Sequence, residues 1–202
     1  VEAVSMLNTG GKYDSKAFKK SVGLNGVGLK AVNALSAEFE VRSYREGKVR
    51  TLTFEKGQLV TDNTADTEEE NGTMVRFTPD DTLFKNYRFV PAFVGDMLRN
   101  YTYLNTGLAI IYNGKRIASR NGLADLLTDR MTAEKMYPII HLVGDDIEIA
   151  FTHVDKQNSD EYYSFVNGQY TTQGGTHQSA FKEHIAKTIK EFSGKNYEPI
   201  DI

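Results

Sequence analysis

Three glycines in Gly23-Leu24-Asn25-Gly26-Val27-Gly28 run directly into the helix-forming stretch Leu29-Lys30-Ala31-Val32-Asn33-Ala34-Leu35. Glycine lets a backbone approach an anion with no Cβ in the way. The first turn of a helix directs unpaired N–H groups and the positive end of its dipole to the same place. The chemistry on offer is phosphate binding, and the ligand class is a nucleotide. The order G-x-x-G-x-G reverses the dinucleotide fingerprint G-x-G-x-x-G, and no strong strand precedes it. No Gly-Lys-Ser/Thr ends it, which separates it from a Walker loop. By itself the cluster also reads as a plain turn and helix start.

Upstream, Asn8-Thr9-Gly10-Gly11-Lys12-Tyr13-Asp14 leads into Ser15-Lys16-Ala17-Phe18-Lys19-Lys20-Ser21. Glycine, serine and lysine without apolar periodicity read as a mobile loop hinged at Gly10-Gly11 and Gly23, the form of a lid that closes over a ligand. A solvated surface loop has the same composition. The four histidines offer no base or metal site by spacing: His141 and His153 fall in strand-like segments, and His177 and His184 share one helix. All four read as structural or surface residues.

The elements that must carry these residues can be placed by period. Residues 1–7 read as the tail of a helix. Residues 39–45 and 49–54 alternate across a Glu46-Gly47-Lys48 turn as a hairpin, and 62–71 reads as an acidic, solvated loop. Asn71-Gly72-Thr73-Met74-Val75-Arg76-Phe77 is a turn entering a strand that puts Thr73, Val75 and Phe77 on one face. Residues 91–104 form a helix with Phe93, Val94, Met97, Leu98 and Tyr101 inward, stopped by Asn105-Thr106-Gly107. Asn113-Gly114 marks a second hairpin, between 108–112 and 116–117, and 122–127 a short helix. The segment 128–137 has no sustained apolar pattern and is taken as a domain boundary. Beyond it come strands near 139–143, 147–153 and 161–166. A helix over 176–192 follows Gly174-Gly175-Thr176-His177, with Thr176 as its N-cap and Phe181, Ile185, Thr188, Ile189 and Phe192 on one side. Strands grouped with helices, without βαβ alternation, make the class α+β.

Taken together, these motifs are recognisable. The run from Gly10 through Gly23-Leu24-Asn25-Gly26-Val27-Gly28 to Val32-Asn33-Ala34-Leu35-Ser36 closely resembles the ATP lid in the B subunits of bacterial type II topoisomerases, DNA gyrase and topoisomerase IV. The Gly72-Thr73 strand resembles the one whose threonine lies beneath the adenine. Tyr163-Ser164-Phe165-Val166-Asn167-Gly168 with Gly174-Gly175-Thr176-His177 looks like the transducer domain of that family. The resemblance covers nearly the whole chain. It implies the C-terminal part of a GHKL-type ATPase α/β sandwich, residues 1–130, followed by part of a transducer, residues 131–202.

Carried over residue by residue, the family's nucleotide site comprises Gly11, Lys12, Phe18, Gly23, Leu24, Asn25, Gly26, Val27, Gly28, Leu29 and Thr73. Asn25 stands where the family usually has histidine. The family's water-activating glutamate, Mg2+-holding asparagine and adenine-reading aspartate would precede Val1, and its γ-phosphate lysine would follow Ile202. No catalytic residue or metal ligand is therefore assigned within the chain, and the isolated chain is expected to be inactive. The implied cofactors are ATP and Mg2+. The implied partners are the A subunit, DNA through other regions, and a second B subunit on ATP binding. Another GHKL ATPase, of mismatch-repair or chaperone type, and a non-catalytic nucleotide- or partner-binding domain are the alternatives. The glycine-threonine-histidine segment favours a topoisomerase over the first.

Composition agrees with this without adding to it. The 202 residues suffice for one large or two modest domains, and 40% are hydrophobic. With no cysteine, disulfides and thiolate metal sites are excluded, which fits a cytoplasmic protein. No apolar run reaches membrane-spanning length, and Val1-Glu2-Ala3 is no secretory signal. A net charge of -3 creates no global attraction for DNA.

Overall fold

The computed structural model describes residues 1–7, 9, 26–155 and 160–197. The chain divides into two compact units, Val1–Phe89 and Val90–Ile202.

The first unit is a four-stranded antiparallel sheet of β1 (Ser36–Arg45), β2 (Lys48–Glu55), β3 (Gln58–Asp66) and β4 (Gly72–Pro79) in the order β3-β2-β1-β4, joined by α1 (Glu2–Ser5) and α2 (Gly28–Ala34). Its registers follow from alternation: Phe39 pairs with Phe54 and Val41 with Leu52 across β1 and β2, while Phe77 and Val75 of β4 stand opposite Phe39 and Val41. Positive φ at Glu46 and Gly47, and again at Lys56 and Gly57, gives the tight turns that match strand twist. Gly57 is required for a second reason, since a Cβ there would lie 3.2 Å from the Ala34 Cα.

Phe39, Val41, Leu52 and Phe54 are buried together with Val4 of α1 and packed by Val32 of α2. The two phenylalanine rings meet edge to face at 5.9 Å. Burying each such ring contributes about 1.5–3 kcal/mol, and this small cluster is the buried apolar core among the unit's described residues. On the same face, Val75 and Phe77 remain 41% exposed. The opposite face carries Glu40, Arg42, Thr51, Thr53, Asn63 and Arg76, as the period of two requires.

The expected acidic loop over 62–71 is corrected: β3 extends to Asp66, and only the residues after it form a loop. The strand is held by cross-strand charge. Arg50 donates in bidentate fashion to Asp62 at 2.9 and 2.7 Å, and Lys48 to Asp66 at 3.0 Å. At the other end of the sheet, the Asp80 N–H donates to Leu35 O. The Asp80 carboxylate accepts from the Thr82 hydroxyl at 2.7 Å, the Thr82 N–H at 2.9 Å and Lys56 Nζ at 3.0 Å. The Thr82 hydroxyl and Lys56 hold its carboxyl down at about 2.

The second unit contains α3 (Pro91–Leu104), the hairpin β5 (Ala109–Tyr112)–β6 (Lys115–Ala118), α4 (Leu123–Arg130), the pair β7 (Ile140–Val143)–β8 (Glu148–Phe151), the two-residue pair β9 (Phe165–Val166)–β10 (Gln169–Tyr170), and α5 (Thr176–Ser193). Pro91 opens α3, where its missing N–H costs nothing. Asn113 and Gly114 both have positive φ, forming the expected hairpin turn. α3 packs on β5, β6 and α4, and α4 packs on β7 and β8. By packing, the chain divides into its two compact units at Phe89–Val90, and α4 contacts elements on either side of it in sequence.

The inward face of α3 also differs from expectation. Gly95, Thr102 and Tyr103 are buried, whereas Phe93 and Met97 are 74% and 51% exposed. The helix turns its small and polar-tipped residues to the hairpin and α4, and buried Tyr103 donates its hydroxyl to Asp129 at 2.5 Å. Burial and that carboxylate raise the Tyr103 phenol to about 12. Burial alone would raise Asp125, but Asn121, Ser119 and the Arg120 N–H hydrogen-bond its carboxylate and bring it to about 2. α5 is anchored by the Phe181 ring on Phe151 at 5.7 Å and by Lys182 Nζ, 3.8 Å above the Tyr162 ring. Its N-cap is Gly175, not Thr176, which is already the first helical residue.

Candidate functional site

The start of α2 offers an anion backbone donors. Gly26 has φ +57°, a left-handed conformation that glycine adopts without strain. Val27 caps the helix: its carbonyl accepts from the Ala31 N–H at 2.9 Å, and no side chain of the described residues caps the turn. The N–H groups of Gly28, Leu29 and Lys30 thus precede the first intrahelical bond and have no acceptor within the helix. No acidic residue lies in this turn. Among the described residues, a Cβ built on Gly28 meets nothing within 4 Å, so its approach side is open to them. Val27 and Leu29, both exposed, flank it. This geometry can receive an oxyanion on backbone donors.

Beneath the turn lie two residues that the sequence alone did not single out. Lys30 is only 5% exposed and donates Nζ to Thr9 O at 2.6 Å. The Thr9 hydroxyl in turn lies 2.8 Å from the O of Glu2, the first residue of α1, and 2.7 Å from the O of Met6, its C-cap. Asn33 is 1% exposed; its Nδ2 donates to Val4 O at 3.0 Å, while its Oδ1 is buried without a partner among the described residues. The i, i+3 spacing of Lys30 and Asn33 puts both on the face turned to α1. That spacing was the available signal, and it is a weak one because polar residues on a helix usually face water.

Of the sequence-derived site, Gly26, Val27, Gly28 and Leu29 are brought together at this turn. Gly11, Lys12, Phe18, Gly23, Leu24 and Asn25 lie outside the described residues. Thr73 stands on β4 opposite Ser43, exposed, on the sheet face that carries Phe39 and Val41.

Two of the histidines are engaged elsewhere. His141 Nε2 lies 2.8 Å from Glu148 Oε1, which also accepts the Leu123 N–H at 3.3 Å and so ties β8 to α4. His153 Nδ1 meets the Tyr137 hydroxyl at 2.5 Å. The His177 ring lies under Gly175, where a Cβ would come within 2.8 Å of it. Among the described residues, no group of three or more His, Cys, Asp or Glu is placed to hold a metal ion, and no helix is long and apolar enough to cross a membrane.

A family model for DNA gyrase B matches residues 120–199. The B subunit of DNA topoisomerase 4 from Borreliella burgdorferi is 42% identical over the whole chain, which covers 34% of that protein. The B subunit of DNA gyrase from Thermotoga maritima is 33% identical over 95% of the chain, covering 33% of that protein. The chain thus spans about a third of the length of the curated relatives it matches. Among solved structures, the ATPase region of Saccharomyces cerevisiae topoisomerase II superposes with a TM-score of 0.75 at 25% identity, over 98% of this chain and 54% of that one. The 43K ATPase domain of Thermus thermophilus gyrase B, solved with an aminocoumarin, gives 0.67 at 29% identity, over 86% of this chain and 52% of that one. The α+β architecture is that of type II topoisomerase ATPase regions, and sequence and fold agree along nearly the full chain. Residues 120–199 thus match the DNA gyrase B family, and the chain as a whole is similar to about a third of the length of the B subunits of type II DNA topoisomerases.

Proposed function

We propose that this chain forms part of the ATP-operated clamp of a type II topoisomerase, coupling ATP binding and hydrolysis to the passage of one DNA duplex through another. The observation that carries the reading is the start of α2: a left-handed Gly26, an open Gly28 and three backbone N–H groups in a turn without acid, within a chain similar to type II topoisomerase B subunits. That arrangement fits a nucleotide phosphate. The site we assign extends from Gly11, Lys12 and Phe18 through Gly23, Leu24 and Asn25 to Leu29, with Thr73 on the sheet for the base. Leu29 and Lys30 offer N–H groups to phosphate oxygens, and Gly26 and Gly28 let the backbone come close enough for these bonds to form.

Residues 1–130 are assigned to the ATP-binding part and 131–202 to the transducer part. The gyrase B match begins at residue 120, ahead of that boundary, and covers the transducer part to residue 199. Mg2+ would neutralise phosphate charge in the full-length protein. The described residues show no cluster to hold it. The groups that activate water and hold that ion are assigned to regions outside this chain, so the chain alone is inactive. Its partners are the A subunit, DNA and a second B subunit, in the cytoplasm.

The test is strand passage by the full-length protein with its A subunit, with and without ATP. Relaxation or decatenation that requires ATP, and that Gly28→Val abolishes, is expected. Passage that is indifferent to nucleotide would overturn the reading.

A further inference from the structure

We propose that Lys30 is a positioning residue: its buried ammonium, bound to the Thr9 carbonyl, is a strut that fixes the first turn of α2 against α1 and so sets the directions of the N–H groups at Gly28 and Leu29. The inference rests on the phosphate reading for its functional consequence, and on geometry alone for the strut.

Three observations support it. Lysine is almost never fully buried unless paired, and Lys30 is 5% exposed. Its described partner is a neutral backbone carbonyl, Thr9 O at 2.6 Å, a bond between segments 21 residues apart in sequence. That carbonyl is itself held in place, because the Thr9 hydroxyl lies 2.8 Å from Glu2 O and 2.7 Å from Met6 O. The chain Lys30 Nζ, Thr9, α1 is therefore continuous. Asn33, one turn further along α2, makes a parallel bond to Val4 O at 3.0 Å, so α2 is attached to α1 at two levels. The lower attachment places the helix body, and Lys30 places the end that carries the free N–H groups. A solvated lysine would have no such effect, and a methionine of similar length would fill the same space without the bond.

The strut has two components that can be removed separately. Lys30→Met deletes the donor and keeps the stem, while Thr9→Val deletes the hydroxyl that holds the acceptor. Both act on one contact, so their effects should not add. Two readouts on the full-length protein distinguish this inference from the ATP reading. In the nucleotide-free protein, amide exchange at Ala31, whose N–H closes the first turn on Val27 O, should quicken about tenfold in either variant. It should be no faster in the double variant. With ATP, each variant should raise KM by about tenfold with kcat within about threefold, the pattern of lost binding geometry.

If the wild-type protein shows no affinity for ATP, the ATP reading fails, and the exchange measurement still decides the strut. Additive exchange effects, or wild-type exchange in Lys30→Met, would overturn the inference. So would a fall in kcat of a hundredfold or more at unchanged KM in Lys30→Met alone, because Lys30 would then act on the reacting phosphate directly. Should Lys30→Met fail to fold, Thr9→Val carries the same two readouts, and wild-type values in both overturn the inference.

Discussion

Gly28 offers a perturbation that separates binding from folding. It is the first residue of α2, with no positive φ to preserve, and a Cβ built on it meets no atom of the described residues within 4 Å. Replacing a helical glycine by alanine is favourable by roughly 0.5–1 kcal/mol where no clash intervenes, so Gly28→Ala should leave the protein as stable as wild type or slightly more so. Gly28→Val adds bulk into the same open space. The cost falls on the ligand. A methyl or isopropyl group on the approach side keeps an oxyanion from the N–H groups of Gly28 and Leu29, and each lost hydrogen bond to a charged group costs about 1.5–3 kcal/mol. One lost bond weakens binding by about 10- to 150-fold, and two put it beyond a typical titration. Gly26 is the less informative target, since its φ of +57° would strain any side chain and mix a folding effect into the result. Calorimetric titration with a non-hydrolysable ATP analogue, together with thermal melts, checks both halves of the prediction in the full-length protein. Wild-type affinity in Gly28→Val would refute the argument by showing that no phosphate approaches this turn.

Further outcomes are expected. Asp80 and Asp125 both titrate at about 2 in the folded chain, below the ordinary value of ~3.9, so the stability they contribute is complete above about pH 4 and is lost as pH falls towards 2. Thermal melts from pH 7 to pH 2 should show that loss, and Asp80→Asn should shrink it; an unchanged acid profile would count against the Lys56 and Thr82 contacts. Gly175→Ala puts a Cβ 2.8 Å from the His177 ring and should cost about 1–3 kcal/mol in denaturant unfolding, whereas no change would mean that the ring is free to move. The purified 202-residue chain should hydrolyse no ATP, since loss of a general base alone costs ~100- to 10,000-fold. Turnover that Gly28→Val abolishes would show that the chain carries its own catalytic groups.

What could be read in the sequence was what local chemistry determines. The Glu46-Gly47 and Asn113-Gly114 turns need positive φ, and alternation around Phe39, Val41, Leu52 and Phe54 identified the buried face of the sheet. β3 escaped notice because an edge strand need not be apolar: Asp62 and Asp66 are held across the ladder by Arg50 and Lys48, which composition alone does not reveal. Hydrophobicity places Phe93 and Met97 inward, but the hairpin and α4 pack against the Gly95, Thr102 and Tyr103 side of α3. At the candidate site the glycines were legible from their spacing. Buried Lys30 and Asn33 were not, because their burial depends on α1, which lies far back in the chain.

Docking of nucleotide phosphates on the first turn of α2 underlies everything proposed for this site. Its most direct test is amide hydrogen exchange of the full-length protein with and without a non-hydrolysable ATP analogue, read at residues 26–31. Strong added protection is expected at Gly28, Leu29 and Lys30, whose N–H groups have no acceptor within the helix. Saturating binding with unchanged exchange at all three would show that the phosphates dock elsewhere.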